Sequence, residues 1–154
     1  MIVLRSTEKK DYFINETNIF YEKNTEKRVK FIKNNQFFYS EISKILKTII
    51  NKSDLNFFFC CGNSNILKEI DSDRIDIQDI NEKILSSFTE KYEKSLEKET
   101  DFNQYDNVVI ADIEHLLDPL NNLKELSNKI HDDCNIILIS KSLLWSGIIK
   151  LIKI

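Results

Sequence analysis

Hydrophobic positions in the first third of the chain follow a helical period. Phe37, Phe38, Ile42, Ile45, Leu46 and Ile49 recur at spacings of three and four, with Ser40 and Glu41 on the polar side. This pattern predicts a helix over about Tyr39–Ile50 with one apolar stripe. Residues 11–50 together predict two helices, and residues 1–35 are interpreted as an N-terminal helical extension.

After Asn51 the period changes to short, continuous apolar runs. The runs are Phe57–Cys61, Val108–Ala111 and Cys134–Ile139, with a shorter strand candidate at Arg74–Gln78. Unbroken runs of this length are typical of strands buried on both faces, as in a parallel sheet.

Helical patterns separate these runs. Asn63 or Ser64 would cap a first helix, which carries Ile66, Leu67 and Ile70. Asn81 would cap a second helix, which runs through Ile84, Leu85, Phe88, Tyr92 and Leu96. Asp118-Pro119 would begin a third helix, whose buried face is Leu120, Leu123, Leu126 and Ile130. The stretch Tyr92–Tyr105 is too short for a further strand. We therefore predict an α/β domain over residues 36–154, built on a doubly wound, mostly parallel sheet with helices on both faces.

Ligands of such sheets bind beyond the carboxyl ends of the strands. The residues that follow the apolar runs are Gly62-Asn63-Ser64, Asp79-Ile80 and Asp112–Asp118. A strand-to-helix turn presents backbone N–H groups to a ligand, and a carboxylate after the second strand can accept bonds from both hydroxyls of a ribose. A nucleoside-containing ligand is the corresponding hypothesis, with an ordinary strand-end aspartate as the alternative interpretation of Asp79.

The second half of the chain resembles one particular family. Tyr105-Asp106, the strand Val108–Ala111, Glu114-His115, Asp118-Pro119 and the strand Cys134–Ile139 follow one another as in class I methyltransferases. The resemblance covers Tyr39–Trp145 and implies a Rossmann-like methyltransferase fold that uses S-adenosylmethionine. By the same resemblance the chain ends before the final antiparallel hairpin, so the fold is expected to be incomplete.

The resemblance implies a set of site residues. The cofactor would contact Cys60, Gly62, Asn63, Ser64, Asp79, Ile80 and Asp112, and the acceptor would approach Asp112–Asp118. His115 and Glu114 are the candidate catalytic residues, because an imidazole titrates near neutrality and a carboxylate can act as a base. A structural histidine and a solvent-exposed glutamate are the alternatives. The implied acceptor is a small molecule or a sugar- or lipid-linked metabolite.

The first motif departs from the family pattern. Phe58, Cys60, Gly62 and Ser64 hold the positions of an acidic residue and three alternating glycines, so Cβ atoms stand where backbone approaches the cofactor closely. This departure keeps two other hypotheses open. One is a catalytically inactive methyltransferase-fold scaffold or docking module, and the other is an α/β domain that binds a different nucleotide.

Charge and composition limit the classes of partner that are expected for the chain. A formal charge of -3 and a pI near 5.5 give no support for nucleic acid as a partner. Asn135–Ile154 carries three lysines, so a membrane-spanning segment is not expected. The apolar residues of Ser142–Ile154 predict a helix that packs within the protein or contacts a membrane surface or a partner domain. Ser142-Leu143-Leu144-Trp145 resembles the end of this domain in bacterial methyltransferases linked to glycosyltransferases, and the resemblance implies an association with a glycosyltransferase. Cys60, Cys61 and Cys134 match no zinc or disulfide pattern, and with no visible signal peptide a cytoplasmic location is expected.

Overall fold

The chain folds around a five-stranded, all-parallel sheet in the order β3-β2-β1-β4-β5. In a computed structural model, the strands are β1 (Asn56–Phe59), β2 (Ile75–Gln78), β3 (Glu93–Ser95), β4 (Asn107–Ile110) and β5 (Asn135–Leu138). The structure describes residues 36–59, 64–79, 82–90, 92–95, 100–111 and 118–140, together with Ile19, Lys23, Lys30, Lys33 and Asn34. The predicted α/β class and the parallel pairing of the strands are confirmed.

Short helical elements connect the strands. They are α1 (Gln36–Ile49), α2 (Glu82–Leu85) and α3 (Pro119–Ser127), with 3-10 turns at Ser64–Leu67 and Phe102–Gln104. Helix α3 begins as predicted, because Asp118 accepts the Asn121 backbone N–H and Pro119 occupies the first turn, where its missing N–H costs nothing.

Successive residues of each strand alternate between two apolar layers, as the pleat of a strand requires. Phe58 and Val109 face the layer under α1, whereas Phe57, Val108 and Ile110 face the layer under α3. The first layer also holds Leu46, Ile66, Leu67, Ile70, Ile75, Ile77, Ile84, Leu85, Phe88 and Tyr92. In the second layer Phe102 meets Phe57 edge to face, at 5.1 Å between ring centroids. Helices on both faces of the sheet are therefore confirmed.

The region after Asn81 differs from the prediction. Helix α2 ends at Leu85, and Glu93–Ser95 forms the edge strand β3, which pairs in parallel with Asp76–Gln78. Both the long helix and the absence of a third strand were wrong. Ile84, Leu85, Phe88 and Tyr92 are buried as a helical spacing requires, but pairing with β2 decides the conformation of Glu93–Ser95, whose residues have no apolar pattern of their own.

The apolar stripe of α1 is only partly buried, and the predicted buried face of α3 is partly wrong. On α1, Leu46 is buried but Phe37 and Ile45 are 78% and 61% exposed, while Ser43 is fully buried and accepts the Glu69 backbone N–H at 2.8 Å. On α3, Leu126 is buried but Leu120 is 82% exposed. Periodicity identifies residues that share a helix face; it does not tell which face meets the sheet.

Three asparagines form a ladder across the amino edge of the sheet. Asn56, Asn107 and Asn135 are the first residues of β1, β4 and β5 and stand opposite one another in the register. Asn107 Nδ2 donates to Asn56 Oδ1 and to Asp54 Oδ2, both at 2.9 Å, and Asn107 Oδ1 accepts from Asn135 Nδ2 at 3.0 Å. Asn56 and Asn107 are fully buried, so these bonds satisfy groups that would otherwise be costly to bury.

Replacing Asn107 by leucine is expected to lower the free energy of unfolding by about 2 to 4 kcal/mol, because it removes three hydrogen bonds and leaves the buried Asn56 Oδ1 without its donor. Urea denaturation measures the change. The exposed Asn103, whose side chain lies in the 3-10 turn before β4, provides the matched control Asn103→Leu, expected to change stability by less than about 0.5 kcal/mol. Equal stability of Asn107→Leu and wild type would contradict the role of the ladder.

A partly buried polar contact ties β2 to the segment before β4. The Tyr105 hydroxyl donates to Asp76 Oδ2 at 2.6 Å. Burial of the tyrosine, followed by this hydrogen bond, raises the pKa of Tyr105 well above its ordinary value of 10.

This shift predicts a loss of stability at alkaline pH. Because the folded-state pKa is raised, the stabilisation is fully present below pH 10 and is lost as pH rises toward the folded-state pKa. Denaturation curves above pH 10 should therefore show a falling free energy of unfolding in wild type and a smaller fall in Tyr105→Phe. Identical alkaline slopes in the two proteins would show that Tyr105 does not keep its proton in the folded state.

Candidate functional site

The carboxyl ends of the strands lie level at one edge of the sheet. Phe59 is opposite Gln78 on one side and Ile110 on the other, and Ile110 is opposite Leu138. The ladder continues past the strand ends, since Ala111 N donates to Phe59 O at 3.0 Å and Ile139 N to Ile110 O at 2.9 Å. The chain adds β2 and β3 on one side of β1 and then β4 and β5 on the other, so the strand order reverses between β1 and β4. Ligands of doubly wound sheets bind at the carboxyl edge beside such a reversal.

Asp79 lies at this edge, directly after β2. It is 2% exposed, and its backbone N–H donates to Ser95 O at 3.3 Å. The preceding residue, Gln78, is 3% exposed and is the last residue of β2. Two polar side chains are thus buried at the end of one strand, where a carboxylate and an amide can orient a polar ligand. The ribose role of Asp79 stays a prediction.

Ser64 begins the 3-10 turn Ser64–Leu67 and is half-buried. The turn follows β1 and buries Ile66 and Leu67 in the layer under α1. A single 3-10 turn aligns fewer peptide dipoles than an α-helix and presents a weaker positive end to a ligand.

Most of the predicted site residues lie outside the described residues: Cys60, Gly62, Asn63, Ile80, Asp112, Glu114 and His115. The same holds for the C-terminal segment Ser142–Ile154. Asp118, at the end of the predicted acceptor region, is the cap of α3. Its carboxylate accepts the Asn121 backbone N–H at 3.3 Å and the Asn121 amide at 2.6 Å.

Asn122 is a buried polar residue that the sequence did not suggest. It is 2% exposed on the first turn of α3, and among the described residues its Nδ2 has no hydrogen-bond acceptor. Helix side chains point back toward the N-terminus, which here is the carboxyl edge of the sheet. A buried donor of this kind lowers stability by about 1–3 kcal/mol unless an acceptor is supplied.

Sequence reasoning missed Gln78, Ser95 and Asn122 at this edge. Gln78 could have been found as the polar residue that ends a predicted strand. Ser95 was hidden by the helix predicted there, and Asn122 by the leucine pattern of α3.

Within the described part of the chain, no group of three or more His, Cys, Asp or Glu residues could hold a metal ion. No helix of that part is long and apolar enough to cross a lipid bilayer. Comparison of the chain with protein-family models, with curated proteins and with solved structures found no match.

Replacing Asn122 by leucine is expected to raise the free energy of unfolding by about 1 kcal/mol, because it removes a buried donor without an acceptor and adds apolar contact. Thermal and urea denaturation measure the change. The isosteric Asn122→Asp is the comparison and should destabilise, since it buries a carboxylate. A loss of stability in Asn122→Leu would instead reveal an acceptor for Nδ2 outside the described residues.

Proposed function

We propose that the chain is an S-adenosylmethionine-dependent methyltransferase domain acting on a small-molecule or sugar- or lipid-linked acceptor. The cofactor would lie over the carboxyl ends of β1 and β2, with Asp79 on its ribose. The acceptor would approach from the side of β4, where His115 and Glu114 are the candidate catalytic residues.

The buried carboxylate of Asp79 at the end of β2 carries the proposal. In the strand order β3-β2-β1-β4-β5, this residue follows β2, the neighbour of β1, and lies one strand away from the reversal of strand order between β1 and β4. A ribose bound there presents two adjacent hydroxyl donors, and a carboxylate shielded from water accepts them more strongly than an exposed one.

Methyl transfer would need little further chemistry from the protein. The sulfonium of the cofactor already activates its methyl group, so alignment of the acceptor with that group supplies most of the rate.

A catalytically inactive scaffold is the second candidate. The 3-10 turn at Ser64–Leu67 and the single glycine of the first motif favour it, because both weaken the loop that would hold the cofactor. The resemblance in the second half of the chain would then describe a retained fold without its activity.

Calorimetric titration with S-adenosylhomocysteine tests cofactor binding without turnover. Micromolar binding to wild type is expected, with a loss of at least about tenfold in Asp79→Asn, which keeps the shape but replaces the carboxylate. Asp79→Ala should bind still more weakly.

The matched control is Asp76→Asn, on the same strand but engaged with Tyr105, which should leave affinity unchanged. Each variant is titrated only after circular dichroism shows that it is folded. A folded wild-type protein that gives no heat with S-adenosylhomocysteine would reject the enzyme hypothesis and favour the scaffold.

A further inference from the structure

Helix α1 exposes large apolar side chains on its outer side. Phe37 is 78% exposed, Ile45 61%, Ile49 42% and Phe38 38%. Since successive residues are rotated by about 100°, Phe37, Ile45 and Thr48 lie on the side opposite Ser43 and Leu46, which face the protein. We call Phe37, Phe38, Ile45 and Ile49 the outer apolar face of α1. Single exposed apolar residues are ordinary, but four of them on one helix mark an interaction surface.

Exposed lysines accompany this face. Lys44 and Lys47 lie on the helix itself, Lys52 follows it, and Lys30 and Lys33 precede it in helical conformation. Glu41 is the one acidic residue of α1, and its carboxylate pairs with Lys44 Nζ at 2.7 Å. Lys52 Nζ in turn lies 3.6 Å from Asp71 Oδ2, and α1 itself carries two lysines and one acidic residue, which give the helix a net charge of +1.

Charge is unevenly distributed along the chain, and its last residues, 141–154, carry three lysines and no acidic residue. Residues 1–52 contain eleven Lys and Arg and six Asp and Glu, whereas residues 53–140 contain eight Lys and Arg and nineteen Asp and Glu. The basic segment that contains α1 would be attracted to an anionic surface, and the acidic segment that follows it would be repelled. This asymmetry is hidden in the overall net charge of -3.

We propose that α1 attaches the protein to the surface of an anionic lipid bilayer, with the outer apolar face inserted among the lipid headgroups and the neighbouring lysines on lipid phosphates and carboxylates. Phenylalanine and isoleucine supply the buried apolar area, and lysines supply the electrostatic attraction, as in helices that lie in the plane of a membrane interface. Exposed apolar residues beside lysines fit this surface, whereas an acidic protein partner would use the lysines without needing four large apolar side chains.

Flotation with vesicles of phosphatidylserine and phosphatidylcholine tests the proposal on the full chain. Wild type is expected to bind these vesicles, to be released by high salt and to bind pure phosphatidylcholine vesicles much more weakly. Ile45→Asp should abolish binding, and because this residue is exposed the variant should melt like wild type. Lys47→Gln should lower the partition coefficient about fivefold.

Glu41→Gln is the most discriminating variant. It removes the negative charge from α1 and frees Lys44, so binding to anionic vesicles should rise at least about fivefold. The matched control is Lys129→Gln, an exposed lysine after α3, which should leave binding unchanged.

Several outcomes would overturn the proposal. Equal binding to neutral and anionic vesicles would remove the role of the lysines. If wild type does not bind vesicles but binds polyglutamate in a salt-sensitive way, and Ile45→Asp keeps that binding, the partner would be an acidic protein. If wild type does not bind vesicles but is a dimer in analytical ultracentrifugation, and Ile45→Asp dissociates that dimer, the outer apolar face would bind a second copy of the chain.

Discussion

The side-chain amides of Asn56, Asn107 and Asn135 join the amino ends of three neighbouring parallel strands in one register. The Asn107 amide donates to Asn56 and accepts from Asn135, so a slip of one strand by a single residue would break bonds on both sides of Asn107. Apolar strands alone are poorly fixed along their length, because isoleucine and valine pack almost equally well in neighbouring registers. The ladder, anchored on Asp54, provides the directional contact that an apolar layer lacks.

A fixed register has consequences at the opposite edge. Because β1, β2, β4 and β5 begin level, they also end level, and Asp79 comes to lie beside the end of β1. The two edges differ in how their polar groups are used. The asparagines of the amino edge bond to one another, whereas the Asn122 amide near the carboxyl edge has no acceptor among the described residues. Polar groups at the first edge hold the fold, and those at the second can serve a ligand.

Helix α1 combines two different surfaces. Its inner side supplies Leu46 to the core and Ser43 as an acceptor for the Glu69 N–H, which joins the helix to the segment after β1. Its outer side carries phenylalanine and isoleucine into solvent. The inner contacts hold the helix in place, so the outer side chains are presented on a rigid element and need not become ordered on binding.

Local signals were enough to locate the strands β1, β4 and β5, the start of α3 at Asp118-Pro119 and the position of Asp79, because continuous apolar runs, caps and strand-end polar residues depend on neighbouring residues alone. The fold of the whole chain makes Glu93–Ser95 a strand, since its backbone partners come from β2. It also determines that Leu46 is buried and Ile45 is not. A helical period shows which residues share a face, but coverage of that face depends on segments distant in the sequence. For the same reason the asparagine ladder could not be predicted: its members are far apart in the chain and become neighbours only through the strand order.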